Sequence, residues 1–320
     1  MRKKVTDDQL EECIHKYCRD LTHLAKQGRF DPITGRDKEI RDSILILLQK
    51  GRKNVMYLAP AGVGKTALVV GLAQQVANNA VPEYLQGARV IEIDLPSMAA
   101  GTNSSAEFQE RFMPLVKGVA ERYHDPSYPK YILFIDEMHT IMPTCHGSAY
   151  AGLSEVMKPY LTVGDLHVIG ATTRDEFRIY VSIDPAMDRR FQKINLSVPT
   201  VDETHVILEA IKGGYEKHHK VKVPTDLTKL VCELTQEHMK KRNQPDKSII
   251  VMDGACALHV LENGTGGELS VSAILNFMAT EISVHPDALL DSRQTQDLAA
   301  AAEKRANVAK NTEPPQEANT

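Results

Sequence analysis

Val55-Met56-Tyr57-Leu58-Ala59-Pro60-Ala61-Gly62-Val63-Gly64-Lys65-Thr66 decides the fold, because here an apolar run empties into two glycines, a lysine and a threonine. A short apolar run bounded by turn formers reads as a strand buried on both faces. The loop that follows is built to hold phosphate. Around Ala61, Gly62, Val63 and Gly64 the backbone N–H groups can curl about phosphate oxygens, Lys65 can reach the β- and γ-phosphates, and Thr66 offers a hydroxyl to Mg²⁺. From Ala67 to Ala77 a helix follows, its N-terminus facing the anion. The strict pattern opens on glycine; this chain has Ala59 there, the smallest substitute.

The second chemical landmark is Tyr131-Ile132-Leu133-Phe134-Ile135-Asp136-Glu137, an apolar strand that delivers two carboxylates at its C-terminal end. Nucleotide hydrolysis needs one acid near Mg²⁺ and another to orient the attacking water, and the adjacent pair Asp136 and Glu137 can supply both. His167-Val168-Ile169-Gly170-Ala171 is a further strand, ending in Thr172-Thr173, where strand ends meet a ligand crevice. Asp188-Arg189-Arg190-Phe191 precedes a last strand around Lys193 to Val198. Strands alternating with helices predict an α/β fold on a parallel sheet covered on both faces.

The 320 residues carry a formal net charge of −4, which gives no global attraction to nucleic acid or to an anionic membrane. No apolar run is long enough to span a bilayer, and Met-Arg-Lys-Lys leads into Thr-Asp-Asp rather than a signal core, so no membrane insertion and a cytoplasmic location are expected. Cys13, Cys18, Cys145, Cys232 and Cys256 are scattered and odd in number, against a disulfide framework. Cys13, His15 and Cys18 do not share a helical face, against a zinc site.

The pattern divides the chain into a leading helix (1–28), a large nucleotide-binding α/β domain (29–200), a smaller helical domain (201–290) and a tail without a packed core (291–320). Leu10, Ile14, Tyr17, Leu21 and Leu24 carry the helical spacing of Thr6 to Gln27. A helix from about Glu107 to Tyr123 is expected to be kinked or divided at Pro114. After Val201 no strand of comparable strength occurs, whereas Thr204 to Lys212, Thr225 to Met239, Lys247 to Leu261 and Leu269 to Pro286 read as helices. From Asp291 the composition turns to Ala, Gln, Lys, Glu, Asn and Pro, with Ala299 to Lys310 expected to be helical at most transiently.

Several strings extend the motifs: Tyr17-Cys18-Arg19-Asp20-Leu21-Thr22, Gly35-Arg36-Asp37, Gly62-Val63-Gly64-Lys65-Thr66-Ala67, Leu133-Phe134-Ile135-Asp136-Glu137-Met138-His139-Thr140, Gly170-Ala171-Thr172-Thr173, Arg189-Arg190-Phe191-Gln192 and Pro245-Asp246-Lys247. Together they resemble the first ATPase module of the Clp family of AAA+ chaperone ATPases, from roughly Ile14 to Leu290. The resemblance implies an AAA+ core with a helical lid, ATP and Mg²⁺ as ligands, and a homo-oligomeric ring, expected to be a hexamer, acting on a protein partner. It makes Thr173 the γ-phosphate sensor and Arg189 and Arg190 the fingers that complete a neighbouring subunit's site. It places Ile33 and Thr34 at the adenine and Pro245 with Lys247 in the nucleotide-facing box of the lid.

Departures from the family are equally legible. Gly254 replaces an acidic residue of the lid box, and the family's pore loop, with its basic-aromatic pair, aligns with Gly101-Thr102-Asn103-Ser104-Ser105-Ala106, so that Ser104 holds the aromatic position. A substrate-binding N-domain and a coiled-coil middle domain have no counterpart in this sequence. The expected function is a chaperone-like ATPase that remodels proteins. A non-threading assembly or regulatory subunit of a secretion or conjugation machine is the alternative, and a nucleic-acid motor is disfavoured by charge.

Overall fold

The computed structural model describes residues 4–102, 104–146, 148–290 and 292–312, which divide after Ser197 into two compact units. In the first, α1 (Asp7–Tyr17), β1 (Cys18–Asp20), α2 (Leu21–Lys26), α3 (Asp37–Leu47), β2 (Asn54–Leu58), α4 (Lys65–Ala77), β3 (Arg89–Ile93), α5 (Leu95–Ala99) and α6 (Ser105–Arg122) lead into β4 (Tyr131–Ile135). After β4 come α7 (Leu153–Val163), β5 (His167–Thr172), α8 (Arg174–Glu176), α9 (Pro185–Asp188) and β6 (Phe191–Asn195). The six strands form one sheet in the order β1-β3-β4-β5-β2-β6, parallel except for β1.

Every residue of β2, β4 and β5 is buried, and the two-residue period of a strand sorts them between two cores. Val55, Tyr57, Ile132 and Phe134 join Leu21, Leu47, Leu68 and Leu72 from α2, α3 and α4. Met56, Leu58, Leu133 and Ile135 join Leu10, Phe112, Leu115 and Met157 from α1, α6 and α7. A sheet covered on both faces needs apolar side chains at consecutive positions, which is why these strands are unbroken apolar runs.

Three expectations are corrected. The leading segment is not one helix. Cys18–Asp20 is a short strand pairing antiparallel with β3, Cys18 opposite Ile93 and Asp20 opposite Ile91. Asp20 also accepts from Arg89 Nε at 2.8 Å and caps α2 through His23 N at 2.9 Å, and Thr22 Oγ1 accepts from Val90 N at 2.9 Å. These bonds close the edge of β3, which would otherwise expose unpaired backbone groups.

Pro114 does not divide α6. It costs roughly 3 kcal/mol inside a helix, but Phe108, Phe112, Leu115, Val116 and Val119 are each at most 2% exposed. Burial of five such side chains at about 1.5–3 kcal/mol each outweighs the proline.

The second unit contains α10 (Val201–His219), α11 (Thr225–His238), α12 (Asp246–Asn263), α13 (Val271–Ile282) and α14 (Arg293–Thr312), around Leu208, Leu230, Leu234, Val251, Met252, Ile274 and Met278. The third correction concerns α14, where the sequence suggests a tail without a core. Thr295, Ala299 and Ala302 form a buried stripe at helical spacing, and Arg305 bonds Asp226 at 2.9 Å and Glu268 at 2.6 Å. Small side chains let α14 lie close against α11, a contact that a hydrophobicity pattern does not register.

Replacing Ala302, 1% exposed, with glutamate buries an unpaired charge. Ala302→Glu should cost at least about 2 kcal/mol and open the chain to protease beyond residue 290, whereas Ala301→Glu, on the exposed side, should do neither. Thermal unfolding with limited proteolysis of the full chain would show it; equal behaviour of the two variants would contradict the docking.

Candidate functional site

Because β2, β4 and β5 are parallel, their C-terminal ends meet along one edge of the sheet. Gly62 and Gly64 adopt φ of +77° and +97°, a region costly for any residue with a Cβ, and so turn the loop after β2 into α4. Gly64 is the N-cap of α4 and offers no side-chain cap, so the first N–H groups of the helix are left to an anion. Val63 is buried at 1% and anchors the loop, Ala61 and Gly62 are exposed, and Ala67 is half-buried in the first turn. Lys65 is 7% exposed and its ammonium donates to Ala59 O at 3.3 Å, arching back over the loop.

Arg36 is a loop-holding residue to which the sequence reading gives no role. Its buried guanidinium donates to Val63 O at 3.1 Å, to Ser197 O at 3.1 Å and to Glu39 at 3.1 Å, tying the phosphate loop to the end of the α/β unit. The string Gly35-Arg36-Asp37 carried the signal, but only tertiary contact shows what the arginine touches. Ile33 packs with Ile40 against Gly71 of α4, where an added Cβ would meet Ile40 at 2.7 Å and Ile33 at 3.2 Å. Ile33 and Thr34 are both half-buried beside that helix.

At the end of β4, Thr66 Oγ1 donates to Asp136 Oδ2 at 3.1 Å, joining the first turn of α4 to the acidic strand end. Two hard oxygen donors side by side fit the preference of Mg²⁺ for oxygen ligands. Asp136 Oδ1 accepts from Glu137 N at 2.9 Å. Glu137 has left-handed backbone angles, φ +48° and ψ +47°, a conformation costly for a residue with a Cβ. Burial raises the Glu137 carboxyl above the usual carboxylate range, and the Asp136 and Glu176 charges add to this against Lys65 and His139.

β5 lies between β2 and β4, so Thr172 and Thr173 arrive between the phosphate loop and the acids. Thr172 is fully buried, and Thr173 caps α8: its Oγ1 donates to Glu176 Oε2 at 2.8 Å and accepts from Glu176 N at 3.2 Å. Burial would raise the Glu176 carboxyl, but bonds from the Thr173 backbone and the Thr173 and Thr172 hydroxyls, with His139 nearby, hold it below the usual range.

Arg189 is exposed just after α9, and Arg190 is half-buried, its Nε without a hydrogen-bond partner. The adjacent Asp188 is engaged by Lys193 Nζ at 2.6 Å, so it does not neutralise the arginines. In the helical unit, Pro245 stands at the N-terminal boundary of α12 without a side-chain cap, and Lys247 is 4% exposed, donating to Met239 O at 3.1 Å. Gly254 has a packing reason: a Cβ there would lie 2.0 Å from the Phe277 ring. Ser104 is exposed and caps α6 by accepting from Glu107 N at 3.2 Å, while Asn103 lies outside the described residues.

Residues 55–198 match the ATPase family associated with various cellular activities (AAA), and residues 200–312 match the AAA lid domain. The chaperone protein ClpB of Vibrio cholerae is 39% identical over 258 residues, 80% of this chain and 30% of that protein. ClpB of Staphylococcus epidermidis is 40% identical over 254 residues, 79% of this chain and 29% of that protein. The chain therefore spans about a third of the length of these curated relatives. Among solved structures, the Saccharomyces cerevisiae Hsp104–ADP complex matches with TM-score 0.77 and 30% identity, over 93% of this chain and 52% of that one. The S. cerevisiae Hsp104:casein complex matches with TM-score 0.76 and 31% identity, over 94% and 53%.

Hydrogen bonds to a charged group are worth about 1.5–3 kcal/mol, so Arg36→Ala should weaken nucleotide binding roughly tenfold or more through a slackened loop. Titration with a fluorescent ATP analogue measures this; unchanged affinity in a folded variant would remove Arg36 from the site.

Proposed function

The chain belongs to the AAA+ ATPases of the Clp type, and from that premise we propose that it binds and hydrolyses ATP in a homo-oligomeric ring that remodels protein partners. The observation that carries the reading is the Thr66–Asp136 contact at 3.1 Å beside a lysine-bearing phosphate loop. Lys65 and the N-terminus of α4 would hold the phosphates, and Thr66 and Asp136 would hold Mg²⁺, which when bound neutralises charge on the β- and γ-oxygens. Glu137 orients the attacking water and accepts its proton. Thr173, at the end of the intervening strand, senses the γ-phosphate by exchanging its bond to Glu176 for one to a phosphate oxygen. Arg189 and Arg190, free of ion pairs among the described residues, supply positive charge to a neighbour's site. Ile33 and Thr34 border the adenine. Pro245 and Lys247 shape the lid box, Lys247 from within the helical unit. Protein rather than nucleic acid as the partner accords with a net charge of −4. A cytoplasmic location belongs to the same reading, and no described helix is long and apolar enough to cross a membrane.

Lys65→Ala should abolish nucleotide binding, while Glu137→Gln should bind ATP and lose at least about a hundredfold in turnover, the scale of a general base. Mixing Arg189→Ala/Arg190→Ala subunits with Lys65→Ala subunits should restore part of the activity, because an intact finger then meets a neighbour's intact loop. Undiminished turnover in Glu137→Gln, or mixed rings that remain inactive, would refute the corresponding role.

One observation favours a second reading, a ring that repositions or disassembles its partner without threading it. Ser104 is spent on capping α6 and has no apolar face to grip a polypeptide. Asn103→Lys with Ser104→Tyr should increase unfolding of a stable tagged fluorescent protein several-fold, even after losing a cap worth about 1 kcal/mol, with ATP turnover little changed. Vigorous unfolding by the unaltered protein would return the threading reading.

A further inference from the structure

His139 follows Glu137 by two residues, in the short turn Met138–Ile141, and its ring stacks on Tyr180 at 5.7 Å with 28° between the planes. Only 13% of the side chain is exposed. Three atoms surround Nδ1: Thr172 Oγ1 at 3.0 Å, Glu176 Oε2 at 3.3 Å and Glu137 Oε2 at 3.5 Å. The single hydroxyl hydrogen of Thr172 goes to Glu176 Oε2, 2.9 Å away, so its oxygen meets the imidazole as an acceptor. Both carboxylates are acceptors as well. The tautomer is thereby set, with the proton on Nδ1.

The hydrogen bond itself goes to Thr172 Oγ1, and the ring edge that makes it brings positive potential to within 3.3 Å of Glu176 Oε2 and 3.5 Å of Glu137 Oε2. The Glu137 side chain is otherwise half-exposed, on a backbone whose left-handed turn is costly, and it must keep one carboxylate oxygen aimed at water. We infer that His139 is a positioning residue that holds Glu137 Oε2 and so leaves the other oxygen to the attacking water. Thr172 and Glu176 orient the imidazole in turn. The contact to Glu137 is the longest of the three, and catalytic contacts of this kind shorten when the reacting complex assembles. This inference rests on the reading of Glu137 as the water-activating group.

The test compares His139→Leu, His139→Asn, Glu137→Gln and the Glu137→Gln/His139→Leu pair in the full chain, by steady-state and single-turnover ATP hydrolysis and by nucleotide affinity. His139→Leu should lower kcat about tenfold or more with KM for ATP within about twofold. His139→Asn, whose amide N–H falls near the place of Nδ1–H, should recover to within about threefold of the unaltered chain. In the Glu137→Gln background, His139→Leu should add nothing, since the group it positions is gone. Weakened nucleotide binding by His139→Leu, failure of the asparagine to rescue, or additive losses in the pair would each overturn the inference in favour of a packing role. Loss of turnover in Glu137→Gln with full activity in His139→Leu would sink the positioning role alone. Full activity in Glu137→Gln would sink the underlying reading.

Discussion

The hydrogen bond from Thr66 to Asp136 joins side chains whose parent strands are not neighbours. β5 separates β2 from β4, and adjacent strands lie about 4.8 Å apart, so roughly 10 Å of sheet must be bridged. α4 makes the bridge by starting at once after the glycine turn and carrying Thr66 in its first turn back across the sheet edge. Anything that tilts α4 or lengthens the loop separates the two oxygens. The packing of Leu68 and Leu72 under α4, the close approach of Ile33 and Ile40 at Gly71, and the clamp of Arg36 on Val63 O all maintain this geometry.

The same arrangement explains the position of the threonines. The strand between the phosphate loop and the acids ends at Thr172, and Thr173 follows it in a capping box with Glu176. Glu176 draws donors from Thr172 and Thr173 and faces His139, which also faces Glu137. The residues proposed to touch phosphate and those proposed to handle water therefore share one polar network, in which a partner lost at one place is felt at the next.

Charge is distributed unevenly in the site. Asp136, Glu137 and Glu176 converge on one side, and the like charges help to raise the Glu137 carboxyl. Lys65 and the uncapped helix start offer positive potential on the other, while Arg189 and the half-buried Arg190 carry charges that no described acid neutralises. In the proposed reading, anionic phosphate and a metal ion would complete this charge arrangement rather than its own side chains. Lys247 shows the opposite economy, its ammonium consumed by a backbone carbonyl within the helical unit.

The α/β fold and the two motifs on which the proposed chemistry rests were legible in the sequence, because a phosphate loop and an acidic strand end are local: their residues are contiguous and their apolar runs are unbroken. The helical character of the second unit was legible for the same reason. Tertiary structure alone decided the rest. Cys18–Asp20 is too short to show a strand period and becomes a strand only because β3 offers an open edge. Pro114 stays within one helix because the core beneath it outweighs a lost backbone bond. α14 docks through alanines whose small size, invisible to a hydrophobicity count, permits close approach. Arg36 and His139 acquire their contacts from residues as far along the chain as Ser197 in one case and Tyr180 in the other, separations over which no sequence spacing carries geometry. Local pattern specifies which groups exist and on which element they ride; only the packing of those elements specifies which groups meet.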